Sequence, residues 1–324
     1  MIKAGIVGGT GYVAGELLRC LVHHPEVEID FVHSHSKPGE QISKVHQDML
    51  ASGLTFTDNV NANADVVFLC LGHGNSIKFL KEHQFSATTK IIDLSNDLRL
   101  KEDSILDGKK FIYGLVELKK KKIQTAQYIA NPGCFATAIQ LALLPLAKHK
   151  LIKDAVHVHA ITGSTGAGQG LTETSHFSWR NNNLSIYKAF DHQHLGEIKE
   201  SMLRLQSDFN QPINFLPLRG DFTRGILASV YMNCDLEEDQ LVSYFEDFYK
   251  DELFTIVTKD NVNLKQVVNT NYCFLQVQKI DGKVLITSVI DNLLKGAAGQ
   301  AIQNMNLMFG LEEQTGLGFK ASYF

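Results

Sequence analysis

Several things are scarce in this sequence of 324 residues, and each scarcity excludes a class of function. The five cysteines, Cys20, Cys70, Cys134, Cys234 and Cys273, are odd in number and scattered. They show neither a CxxC pair nor cysteine/histidine ligand spacing, so a disulfide framework and a structural zinc site are not expected. No apolar run approaches the roughly 20 residues that cross a bilayer, and Met1-Ile2-Lys3 runs straight into an expected core strand, which leaves no room for a signal peptide. A basic surplus is also missing: 31 Lys and Arg stand against 35 Asp and Glu, a formal charge of -4. Neither nucleic acid nor a membrane surface is therefore an expected partner, and Lys119-Lys120-Lys121-Lys122 reads as a solvated helix end or loop. There is no internal repeat and no low-complexity segment. A soluble, cytoplasmic, two-domain protein is expected.

What the chain does contain is organised around Asn131-Pro132-Gly133-Cys134-Phe135-Ala136-Thr137. Pro and Gly turn an apolar run, Tyr128-Ile129-Ala130, into a segment from Ala136 to Leu146 dense enough in apolar residues for a buried helix. A thiol at that helix start meets the positive end of the helix dipole and free N–H groups, which favour the thiolate. Position alone leaves two readings, a nucleophile or a buried structural cysteine.

At the other end, Ala4 to Val7 reads as a short buried strand, followed by Gly8-Gly9-Thr10-Gly11-Tyr12-Val13-Ala14 and a helix with Val13, Leu17, Leu18 and Leu21 on one face. Gly9-x-Gly11-x-x-Ala14 fits the dinucleotide fingerprint, in which glycines make the turn tight, let the backbone approach a pyrophosphate and aim a helix N-terminus at it. The next strand, Val27 to Val32, ends in His33-Ser34-His35-Ser36-Lys37, whose hydroxyls and cations suit a ribose 2′-phosphate, so NADP is favoured over NAD. Asp30 has roughly the spacing of an NAD-type carboxylate but falls inside the strand. Strands are also expected at Asp65 to Leu71 and Lys90 to Ser95, with a helix from about Ser76 to His83 between them. Gly72, His73 and Ser95 thereby reach the strand ends where open α/β sheets bind ligands, and Arg99 follows as a possible anion clamp.

Beyond the Cys134 helix the pattern changes. Strands fit Ala155 to Ile161, Ile213 to Leu216, Gly225 to Cys234, Tyr272 to Ile280 and Lys283 to Ile290, the last two joined by Asp281-Gly282. Helices fit Leu195 to Phe209 and Glu237 to Tyr249, and a small-residue helix is expected from Asp291 to about Met308. The expected fold class is α/β, a Rossmann NADP-binding domain (1–132 and 291–324) plus an α+β catalytic domain (133–290) with a mixed or antiparallel sheet. Three features would complete a cysteine acyl-transfer site. Thr162-Gly163-Ser164-Thr165-Gly166-Ala167-Gly168 is a loop whose backbone N–H groups could cradle an anion. Asp191-His192-Gln193-His194, ahead of Glu197, supplies a histidine able to move protons near neutral pH. Arg219 to Arg224 is a polar turn between apolar strands.

Together these stretches resemble the N-acetyl-γ-glutamyl-phosphate reductases, relatives of aspartate-semialdehyde dehydrogenase that act in arginine biosynthesis. The likeness runs along the chain, through Gly8 to Tyr12, Asp93 to Arg99, Asn131 to Thr137, Thr162 to Gly168, Arg224-Gly225-Ile226 and Asp291 to Gln300. It implies Cys134 as nucleophile, His192 or His194 as acid/base, and Gly163, Ser164, Gly166 and Asn292 near the cofactor. For the substrate it implies an N-acyl-glutamyl phosphate in the region of Asn131, Arg99, Ser164, Gly166 and Glu197. A homo-oligomer, dimer or tetramer, is the usual form of such enzymes. Phe215 to Phe222 stands where many members carry a longer, histidine-containing sequence, and Leu218 cannot do proton chemistry; Val116 stands where proline is usual, and Ser178 to Asn183 is more basic and aromatic than the family segment. The added cations Arg180 and Arg219 would suit an N-succinyl substrate as an alternative to N-acetyl. An aspartate-semialdehyde-type enzyme and a non-catalytic NADP sensor remain the other readings.

Overall fold

The computed structural model describes residues 1–323; Phe324, where the expected 291–324 segment ends, lies outside them. The chain forms two compact units. One comprises Met1–Pro132 with Ala297–Gly318, and the other Gly133–Gly296 with the tail from Phe319 onward.

The first unit is built on apolar strands with little polar alternation, as a parallel sheet covered on both faces requires. β1 (Ile2–Val7), β2 (Val27–His33), β3 (Val66–Leu69), β4 (Lys90–Asp93), β7 (Ile112–Tyr113) and β8 (Tyr128–Ala130) form a six-stranded sheet in the order β2-β1-β3-β4-β8-β7, every pair parallel. Between β4 and β7 lies a small antiparallel pair, β5 (Ile105–Leu106) and β6 (Lys109–Lys110). The helices of this part are α1 (Tyr12–Leu21), α2 (Asn75–Glu82) and α3 (Val116–Ile123). Of the lysine run, Lys120, Lys121 and Lys122 form the last turn of α3, and Lys119 sits at a kink within it. Gly8, Gly72 and Ser95 follow the carboxyl ends of β1, β3 and β4, so the sheet gathers the expected cofactor residues at one edge.

The second unit opens with α4 (Cys134–Lys148), which is buried from Phe135 to Ala147 and carries Pro145 within it. It packs on a seven-stranded sheet of β9 (Val156–Thr162), β10 (Ser185–Ile186), β11 (Ile213–Arg219), β12 (Ile226–Asn233), β13 (Thr255–Thr258), β14 (Cys273–Ile280) and β15 (Lys283–Ile290). The order is β10-β11-β9-β12-β15-β14-β13. The sheet is mixed: β9 and β11 run parallel, as do β13 and β14, and the remaining pairs are antiparallel. Parallel pairing of β9 with β11 requires a crossover, which α5 (Phe177–Arg180), β10 and α6 (His194–Leu205) supply, and α7 (Glu238–Tyr249) lies between β12 and β13.

The return to the first unit is α8, which spans Ala298–Met308, shorter than the helix expected from Asp291. Asp291 explains the difference. Its Oδ1 accepts the N–H groups of Leu293 and Leu294 at 2.8 and 3.1 Å, and its carbonyl accepts that of Gly296, so the backbone is held in turns until Ala297. All eleven residues of α8 are buried. Two of its asparagines bond across the unit: His24 Nε2 lies 3.0 Å from Asn306 Oδ1, and Asn304 Nδ2 donates to the Gly114 carbonyl at 2.9 Å. Among the described residues no helix is long and apolar enough to cross a membrane, and no group of three or more His, Cys, Asp or Glu could hold a metal ion.

Candidate active site

In the first unit the turn after β1 is made by glycines because nothing larger fits. Gly8 has φ +80°, and a Cβ there would lie 2.6 Å from the Cys70 carbonyl oxygen; one on Gly9 would meet Val32 Cγ1 at 2.5 Å. Gly9 N–H donates to the His33 carbonyl at 2.9 Å, tying the turn to the end of β2. Gly11 caps α1 without any side-chain hydrogen bond, and a Cβ on it would meet nothing nearer than Gly8 O at 3.9 Å. The first-turn N–H groups of α1 therefore have open space in front of them that a side chain would enter, which fits a dinucleotide pyrophosphate. Tyr12 and Val13 form that first turn. Sequence reading passes over His46, whose Nε2 lies 2.7 Å from the Gly9 carbonyl and whose ring covers Gly15. With thirteen histidines and no local motif, nothing in the sequence singles it out.

The end of β2 carries no carboxylate. Asp30 sits inside the strand and accepts from Asn61 Nδ2 at 2.7 Å. Ser34 is buried, with its Oγ 3.5 Å from that of Ser36, while His35 and Ser36 are exposed. A hydroxyl pair beside an exposed imidazole fits a 2′-phosphate. Along the same edge, His73 Nδ1 lies 2.8 Å from Asp97 Oδ1, and Ser95 Oγ donates to Asp93 Oδ2 at 2.8 Å. Burial pushes the Asp93 carboxyl up, against the donors Ser76 and Ser95 and the nearby Arg99. Burial likewise pushes the Cys70 thiol up, with Asp93 adding to it.

Arg99 and Asn131 are brought together, and both make hydrogen bonds to backbone carbonyls. Arg99 Nε donates to the Asn131 carbonyl at 2.8 Å and Nη2 to that of Leu94 at 3.1 Å. Asn131 is fully buried, its Nδ2 bonded to the Ala297 carbonyl and its Oδ1 to Asn304 Nδ2.

In the second unit Gly133 caps α4 and Cys134, half-buried, is its first residue. A Cβ on Gly133 would fall 2.2 Å from His194 Nε2, so glycine is what lets the imidazole lie against the backbone beside the cysteine. Glu197, one turn along α6, accepts the Gly133 N–H on Oε2 at 3.0 Å and places Oε1 3.9 Å from His194 Nε2. Gly296 also comes close to the cysteine: a Cβ there would be 2.8 Å from Cys134 Cβ. Its place in a run of small residues is the only sequence signal for it.

The two histidines differ. Their ring centroids are 4.5 Å apart, and Phe135 presents edges to both. Burial pushes His192 down to about 3, reinforced by His194 and Lys188 and opposed by Glu197. It is therefore neutral near pH 7, and its Nδ1 accepts the His194 N–H at 3.2 Å.

The loop after β9 departs from expectation. Its backbone N–H groups do not form an open anion cradle: Gly163 donates to Gly225, Ser164 to Phe222, Thr165 to Thr223, Gly166 to Gly163 and Gly168 to Thr165. The loop is a short 3₁₀ turn (Ser164–Ala167) laid against the Phe222–Gly225 segment, and a Cβ on Gly163 would collide with the Thr223 carbonyl at 2.4 Å. Asn292 pins the same pair of segments, accepting the Gly225 N–H at 2.7 Å and donating to Thr165 Oγ1 at 3.0 Å. Glycine content signalled a tight approach, and the approach is to the protein's own backbone.

Two family descriptions divide the chain between them: residues 3–126 match "Semialdehyde dehydrogenase, NAD binding domain" and residues 134–292 match "Semialdehyde dehydrogenase, dimerisation domain". Over its whole length the chain is 61% identical to the N-acetyl-gamma-glutamyl-phosphate reductase of Flavobacterium johnsoniae and 56% to that of Christiangramia forsetii, with 100% of each protein covered. The chain belongs to the N-acetyl-gamma-glutamyl-phosphate reductase family. Among solved structures, aspartate semialdehyde dehydrogenase II from Vibrio cholerae complexed with ASA aligns with TM-score 0.73 at 16% identity, covering 96% of this chain and 98% of that one. Aspartate semialdehyde dehydrogenase with NADP from Candida albicans aligns with TM-score 0.67 at 13% identity, covering 95% and 99%. These two share the fold of this family member.

Proposed function

We propose that the chain catalyses NADP-dependent reductive dephosphorylation of N-acyl-L-glutamyl 5-phosphate to the 5-semialdehyde, in arginine biosynthesis. The observation that carries the reading is the Cys134–His194–Glu197 arrangement at the start of α4, with His194 Nε2 lying against Gly133 and Glu197 bonded to the Gly133 N–H. Residues 1–132 with the returning α8 act as the cofactor-binding part, and the unit from Gly133 as the catalytic and dimerising part. The names of the relatives favour the N-acetyl group. The small-molecule partners are the acyl phosphate and phosphate, and the setting is a cytoplasmic homo-oligomer.

In this mechanism the Cys134 thiolate attacks the γ-carbonyl carbon, the carbon–phosphate oxygen bond breaks, phosphate leaves and a thioester remains. The first-turn N–H groups of α4 donate to the oxyanion of the tetrahedral intermediate, an effect of ~3 kcal/mol per donor in comparable sites. When bound, NADPH supplies the reducing equivalent. His194, oriented by Glu197, holds the proton that returns to sulfur as the semialdehyde leaves. His192, held neutral, positions His194 through its backbone N–H. Arg99 and Asn131 brace the turn that leads to Cys134.

Cys134→Ala tests this. Turnover of N-acetylglutamate semialdehyde with phosphate and NADP is expected to fall at least ~1,000-fold, while the Kd for NADP stays within about threefold. Substantial residual turnover in that variant would overturn the assignment.

A further inference from the structure

Two arginines of the second unit carry charge that the Cys134 site does not use. Arg180, the last residue of α5, is 8% exposed, yet its Nε and Nη1 find no hydrogen-bond partner. Its Nη2 donates to the Asn183 carbonyl at 3.2 Å, and its guanidinium lies 5.1 Å from the Trp179 ring centre. Arg219, the last residue of β11, also buries an unpartnered Nε. Its Nη1 is 3.5 Å from Thr174 Oγ1, and its guanidinium lies 4.7 Å from the centre of the Tyr187 ring.

Local pairing holds the two together. Ser185 sits opposite Arg219 in the β10–β11 ladder, and Asn182 N–H donates to Asp221 Oδ2 at 2.7 Å, which anchors the segment between Arg180 and β10 to the turn after β11. Burial and Arg219 both disfavour the charge on Arg180, and Asp221 favours it. Two guanidiniums thus come together with buried donors directed at nothing in the protein. Such donors cost stability unless an anion meets them. Tyr187 links this cluster to the reactive centre. Its ring lies against the Arg219 guanidinium on one side and 6.0 Å from the His192 ring on another.

We propose that Arg180 and Arg219 form a subsite for a substrate carboxylate distinct from the reacting acyl group, with Tyr187 as the spacer between that subsite and Cys134. The inference rests on the acyl-phosphate reading above. A carboxylate is the anion whose two oxygens match a guanidinium fork. On an N-acylglutamyl substrate it has two sources: the α-carboxylate, present whatever the acyl group, or the far end of a dicarboxylic acyl group such as succinyl.

Steady-state oxidation of N-acetyl- and N-succinyl-glutamate semialdehyde, with phosphate and NADP, separates them in the wild type, Arg180→Gln and Arg219→Gln. Each variant is expected to raise the semialdehyde KM about 10- to 100-fold, with the KM values for NADP and phosphate unchanged. An equal rise for both semialdehydes assigns the α-carboxylate, and a rise confined to the succinyl compound assigns the acyl terminus. An unchanged semialdehyde KM, or a rise that falls on phosphate or NADP instead, overturns the subsite. Should a glutamine variant fail to fold, Arg219→Lys replaces it: retained charge without the fork gives an intermediate KM, and a wild-type KM overturns the proposal. A wild type that oxidises neither semialdehyde overturns the underlying reading instead, a result separate from unchanged variants of an active enzyme.

Discussion

Two glycine-rich loops follow a strand in this chain, Gly8–Gly11 after β1 and Gly163–Gly168 after β9, and from composition they look alike. Their backbones do opposite things. In the first, glycine removes side chains from in front of an uncapped helix of ten residues, and the first-turn N–H groups face open space. In the second, glycine lets one stretch of backbone lie on another, and five N–H groups are already bonded to carbonyls. The loops lead into different structures: ten helical residues after Gly11, against a four-residue 3₁₀ turn after Gly163. Glycine spacing reports that something comes close; the element beyond the loop decides whether that something is a ligand or the chain itself.

Alanine at Gly11 should produce the largest effect. The backbone there, φ -77° and ψ 163°, accepts alanine, so the fold should survive while a methyl group enters the space in front of the helix start. We expect the Kd for NADP to rise about 10- to 100-fold by calorimetry, with little change in Tm; unchanged affinity would abolish the contrast between the loops. Next comes Asn292→Leu, which leaves the buried Gly225 N–H without its acceptor. Unfolding free energy should drop by ~1–3 kcal/mol in a denaturant titration, with NADP affinity within threefold of wild type. A tenfold affinity loss would return the second loop to the cofactor site.

The histidine pair gives a smaller, pH-dependent effect. His192 is depressed in the folded state, so folding releases its proton, and its cost is nil above the unfolded value near 6.5 and grows as pH falls toward 3. Stability should therefore decline below pH 6.5 by up to ~1 kcal/mol per unit after allowance for screening, and the His192→Asn variant should lose that part of the slope. An unchanged slope would mean that another group carries it. The smallest effect is expected from Gly166→Ala, whose Cβ would lie 3.3 Å from Thr162 Oγ1. Stability should shift by ~0.5 kcal/mol or less and the Kd for NADP by less than twofold, which pairs with the Gly11 result to measure the contrast directly.

Much of the fold is legible in the sequence because long apolar runs have one reading. The strands at 2–7, 66–69 and 283–290 and the helix beginning at Cys134 are marked by periodicity and by Gly-Pro punctuation. The cysteine and the His192/His194 pair can be named from motif and residue type. Which of the two lies against the turn before Cys134 cannot, because that depends on a glycine whose missing side chain admits the His194 imidazole. Tyr187 and His46 are invisible for a related reason: each makes its contacts with residues brought near by the fold, which leaves no local pattern. The Asp291 turn reads as helix in the sequence because small residues favour both, and the carboxylate that captures two N–H groups decides between them.

The placement of α8 has a consequence for how the protein is made. A ribosome delivers residues 1–132 first, but the helix that completes their unit lies at Ala298–Met308. His24 and Gly114 must wait for Asn306 and Asn304. The continuous stretch from Gly133 to Gly296 emerges in between and contains its own sheet. The part translated first therefore cannot close until α8 arrives, and the nascent chain must keep a parallel sheet with an incomplete helical cover out of trouble while about 165 further residues are made.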